Sequence, residues 1–158
     1  MTSTLVQLAS RIRDEIDELE RILARMSEGW QRAQRTNDEY YLDGVALNLH
    51  GFYTGLERIF EQIAGLIDNS VPQGENWHQL LLQQMVQEEP GIRPAVISEA
   101  VYKQLNEYRG FRHVVRNVYT SKFDPVRIGK LVLAAPDIFG KVRAELLAFA
   151  NFLDKSDL

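Results

Sequence analysis

A chain of 158 residues with 45% hydrophobic side chains is long enough for one domain with its own core, spanning 1–158. It has no cysteine, which excludes a disulfide framework and Cys-ligated metals and suits a cytoplasmic protein. A net charge of −4 argues against a broad basic surface that coats nucleic acid, but it permits a local basic site.

Period-2 alternation is absent and 3.6-residue spacing recurs throughout, so the expectation is all-α. The first helix is expected over 2–34, with Leu5, Leu8, Ile12, Ile16, Leu19, Ile22, Leu23 and Met26 on one stripe. Its start mixes acids and bases from Arg11 onward, so no signal peptide is read. Asn37-Asp38 caps a second helix over 38–68. Leu49, Phe52, Leu56, Ile59, Phe60 and Ile63 form its core face, with Asp43, His50, Glu57 and Glu61 opposite. A loop at 69–74 leads to a short helix over 76–87, ended by Glu-Glu-Pro-Gly. Ser98 caps a fourth helix over 98–121. Asp124-Pro125 starts the fifth, 125–153, inside which Pro136 predicts a kink or a break with Asp137 restarting the helix. Four long helices and one short one, closely connected, predict an antiparallel four-helix bundle with one extra short helix. No apolar stretch approaches the roughly 18 residues of a membrane span.

Charge is uneven along the chain. Residues 37–68 carry one basic and six acidic side chains, and 98–121 carry four basic and two acidic. An acidic second helix can therefore meet a basic fourth one, within a protomer or across a dimer. On the fourth helix, Arg109, Arg112, His113 and Arg116 fall within about 100° of one another at 100° per residue. Phe111, Val114, Val115 and Val118 lie on the other side and can enter a core. Clustered guanidinium groups repel one another and call for an anion. An imidazole among them adds a group that exchanges a proton near neutral pH. Arginine with histidine and no metal motif suggests phosphate chemistry; the plain alternative is a solvated helix face.

Other signatures are missing. There is no Gly-rich phosphate loop, no His-Glu-x-x-His and no Gly-x-Ser-x-Gly. The single Glu-x-x-His pair, Glu75 and His78, falls short of a di-iron bundle's two pairs and two further glutamates. Three histidines are too few for a His-rich metal site, and no cofactor is expected. His50, Glu57 and Glu61 share a helix face; they either are solvated, bind a cation or pair with the arginines of the fourth helix. His78 beside Trp77 reads as structural.

The segments Leu-His-Gly-Phe-Tyr-Thr-Gly-Leu-Glu-Arg-Ile-Phe-Glu (49–61), Asn-Trp-His-Gln-Leu-Leu (76–81) and Gly-Phe-Arg-His-Val-Val-Arg-Asn-Val-Tyr (110–119) resemble the HEPN superfamily, and within it the HepT-like ribonuclease toxins. That group's motif is Arg, a polar residue, a spacer and His, with Tyr two residues later. Here Arg116-Asn117 fits the opening, but Ser121 and Phe123 stand where the histidine and tyrosine belong. Arg109 and His113 are separated by three residues, one short of the usual spacing. Either this branch uses His113 with Arg112 and Arg116, or the nuclease activity is lost and a silent binding module remains.

The resemblance implies metal-independent RNA cleavage at a dimer cleft, with His113, Arg112 and Arg116 catalytic and Arg109 and Asn117 on the phosphate. The face of His50, Glu57 and Glu61 would support them. It also implies a homodimer through the fourth helix and a minimal nucleotidyltransferase antitoxin as partner. That antitoxin would adenylylate Tyr119 or, for a silent module, take the chain as partner or substrate.

Overall fold

The computed structural model describes residues 3–117 and 123–156, without the side chains of 113–117. Five helices follow in order: α1 Thr4–Thr36, α2 Glu39–Ile63, α3 Trp77–Val86, α4 Glu99–Asn117 and α5 Pro125–Lys155. Among the described residues there is no strand, only an isolated bridge between Glu89 and Arg93. The chain is thus an all-α helical bundle.

Local chemistry sets the ends of the helices. Ser3 caps α1 by accepting from the Val6 amide at 3.1 Å, and Asp38 caps α2 by accepting from the Tyr40 amide at 3.0 Å. Asn37 ends α1 in the left-handed region at φ 54°, a conformation that asparagine tolerates. With only Asn37 and Asp38 between them, α1 and α2 form a tight helical hairpin. Ser98 caps α4 through Val101, and Asp124 caps α5 through Val126, with Pro125 at its first position.

The helix expected over 38–68 changes form near its end. After Ile63 the winding widens to a π turn over Ala64–Asp68 that closes on left-handed Asn69. Asp68 then reaches Arg93, whose Nε and Nη2 bond its two carboxylate oxygens at 2.7 and 2.8 Å. Both side chains are buried, and Arg93 also donates to the carbonyls of Gln84, Gln87 and Pro94. This satisfied pair fixes the end of α2 against the loop between α3 and α4.

The break considered at Pro136 does not occur: α5 runs unbroken from Pro125 to Lys155. Pro136 is exposed, while Ala135 and Ile138 beside it are buried, so packing on both sides keeps the helix continuous across it.

One hydrophobic core draws on all five helices, with Leu8, Ile12, Phe52, Leu56, Leu105, Ile128 and Leu146 wholly buried. At its centre α2 contacts each of the others. Around it, α1 packs on α5, α3 on α4, and α4 on α5. Tyr108 joins α4 to α5 by donating to the Leu131 carbonyl at 2.6 Å. Among the described residues no helix is long and apolar enough to cross a membrane.

Candidate functional site: a Glu–His–Arg cluster beside an arginine-lined cavity

The α2 face that carries Glu57 does not reach water. It is covered by α3 and α4, so Glu57 is only 4% exposed. A buried carboxylate needs partners. The first is His78, in the first turn of α3, whose Nδ1 donates to Glu57 Oε2 at 2.7 Å. The second is Arg112 on α4, whose Nε lies 3.7 Å from Glu57 Oε1, an ionic contact beyond hydrogen-bond reach. Arg112 Nη1 also lies 3.1 Å from His78 Nε2. A guanidinium can only donate, so Nε2 must accept and carry a lone pair. The two contacts together select the neutral imidazole with its proton on Nδ1. The neighbouring Trp77 ring packs against the imidazole, its centroid 3.5 Å away and its plane tilted by 35°.

His78 and Arg112 form part of the wall of a cavity of 340 Å³ between α3 and α4. Glu75, Asn76, Gln79 and Arg109 complete it. Arg109 is held along its own helix by Nε donation to Asn106 Oδ1 at 2.8 Å. Two larger surface hollows lie elsewhere, between α1 and α2 and between α1 and α5. Neither joins an imidazole to arginine.

Two neighbours respond to the cluster. Burial, then the charge of Glu57, pushes the Glu61 carboxyl above its ordinary range, with His78, Arg112 and Arg58 opposing. Burial, again followed by Glu57, pushes the Tyr53 hydroxyl up, so it stays protonated.

The expected site residues are distributed as follows. Arg109 and Arg112 share the cavity wall. Glu57 meets Arg112 within one protomer, so the acidic second helix and the basic fourth do come together there. Glu57 does not stand on a solvated face: α3 and α4 cover it. Glu61 is half-buried near the cluster. His50, two turns earlier on α2, is half-buried, and its carbonyl accepts from Thr54 Oγ1 at 3.0 Å. The backbone of His113, Arg116 and Asn117 continues α4, but their side chains lie outside the described residues, as does the whole of Tyr119. His78, read from sequence as structural, is the residue that joins the three helices. Among the described residues no group of three or more His, Asp or Glu side chains could hold a metal ion.

A family model described as HepT-like protein matches residues 44–153. The chain belongs to the HepT-like family. The matched stretch begins in α2 and runs into the last turns of α5, so it contains Glu57, His78, Arg109 and Arg112 of the HepT-like chain. No curated protein and no solved structure matches it.

Proposed function

We propose that this HepT-like chain is a ribonuclease toxin that cleaves RNA without a metal at the α3–α4 cavity. The observation that carries this reading is the pair of arginines, Arg109 and Arg112, on one wall of a cavity that also holds an imidazole. Guanidinium groups held there suit a phosphodiester, and they stabilise the extra charge of a pentacovalent phosphorane. His113 and Arg116, next along α4, would extend this face, with Asn117 beside them on the phosphate. The chain would act as a two-fold dimer that faces its α4 helices across a cleft. Its partner would be a minimal nucleotidyltransferase antitoxin, with Tyr119 as the residue modified.

A second reading, a catalytically silent binding module, has its own support. The charge of Arg112 is already met by Glu57, and Arg112 occupies His78 Nε2. The test is cleavage of a labelled RNA by wild type, Arg109→Ala and Arg112→Ala in the presence of chelator. Sedimentation of the same samples reads the dimer. The expected result is cleavage by wild type that chelator leaves unchanged, with a loss of about 10²–10³-fold in each variant. A wild-type protein that cleaves nothing leaves the silent module as the better account.

A further inference from the structure

We propose that His78, on α3, is the imidazole that removes the ribose 2′-hydroxyl proton, rather than a histidine of α4. The inference rests on the ribonuclease reading and assigns its general base. Three observations carry it. First, Glu57 is buried and accepts a hydrogen bond from Nδ1 at 2.7 Å, which leaves Nε2 as the atom that can take a proton. A carboxylate that orients an imidazole in this way also stabilises the imidazolium formed when Nε2 takes a proton. Second, His78 lies in the cavity wall with both arginines, so a phosphate bound there stands within reach of the ring. Third, Arg112 Nη1 can only donate, so its contact at 3.1 Å marks Nε2 as the acceptor of the ring.

When a phosphodiester enters, Arg112 turns its Nη1 from Nε2 to a phosphate oxygen and exposes the lone pair. Nε2 then takes the 2′-hydroxyl proton while the 2′-oxygen forms a bond to phosphorus. The bond between phosphorus and the 5′-oxygen breaks, and that oxygen takes a proton from water. The products are a 2′,3′-cyclic phosphate and a 5′-hydroxyl. The imidazolium returns its proton to solvent.

His78→Asn is the discriminating variant, because the asparagine amide can still donate to Glu57 but has nothing in the place of Nε2. If His78 only orients Glu57, this variant keeps its activity. His78→Gln, whose amide oxygen can still accept from Arg112 Nη1 but takes no proton, separates loss of the base from loss of that contact. Its activity within threefold of wild type also overturns the assignment. If His78 is the base, both variants lose about 10²–10⁴-fold in cleavage rate while their circular dichroism stays that of wild type. Should the variants misfold, wild type treated with diethyl pyrocarbonate gives the same information. Activity should fall in step with modification of His78, mapped by peptide mass, and inorganic phosphate should protect both. Cleavage by folded His78→Asn within threefold of wild type overturns the assignment, as does inactivation that leaves His78 unmodified. In each of these cases the ribonuclease reading survives. A wild-type protein without activity overturns the two together.

Discussion

Glu61 lies within reach of Glu57, and its carboxyl is held above the ordinary value of 4.5 by burial and by that neighbouring charge. The native protein therefore binds this proton more tightly than the unfolded chain does. Stability falls as pH rises from the ordinary carboxylate range through the raised folded-state value, and the penalty is fully present once Glu61 is ionised. Glu61→Gln should thus raise the melting temperature slightly at pH 7, with the gain vanishing below about pH 4. A pair of thermal melts at those two pH values checks the sign. Residue-level reading of the sequence gathered Arg109 and Arg112 on one face, because helical spacing alone decides that. It did not reveal that Glu57 is buried. Periodicity shows which residues share a face, but not which neighbour covers it, and α2 contacts every other helix. His78 was still less legible, since it sits 21 residues from Glu57 and 34 from Arg112, and only the packing of three helices joins them.

Among the helices, the caps at Asp38, Ser98 and Asp124 were legible because a short polar side chain before an apolar run satisfies amides that would otherwise lack partners. The π turn after Ile63 was not: it ends at Asp68, whose partner Arg93 lies 25 residues on. Close approaches between helices were equally hidden. A methyl group at Gly129 of α5 would meet the Trp30 ring of α1 at 2.7 and 2.8 Å. At Gly55 of α2 the nearest atom is Leu19 Cδ2 at 2.6 Å, the mobile end of a flexible side chain. A rigid indole cannot step aside as leucine can. Gly129→Ala should therefore cost about 1–3 kcal/mol by overpacking, and Gly55→Ala clearly less, since alanine regains part of the loss in helix propensity. Urea melts of the two variants would reveal the order, and an equal or reversed ranking would show that α1 is more loosely seated than its packing indicates.

At the scale of the whole molecule, α1 is built into the core although it lies before the family-matched stretch, which starts at residue 44. It buries Leu5, Leu8, Ala9, Ile12, Ile16, Leu19, Leu23 and Met26 against α2 and α5. Each large side chain among these contributes about 1.5–3 kcal/mol, so their sum rivals the 5–15 kcal/mol by which a domain is stable. A fragment of 38–158 should accordingly fail to fold as a monomer, showing lost cooperativity in thermal melts and fast amide exchange in α2 and α5.

The two tryptophans stand far apart in role. Trp30 packs between α1 and α5, while Trp77 packs at a tilt against the site's imidazole. Indole emission depends on what touches the ring. With Trp30 replaced by phenylalanine, all remaining tryptophan light would come from a ring in contact with His78. The chain thus carries its own optical gauge of the cavity, able to register a ligand's arrival or the imidazole's change of charge without any attached dye.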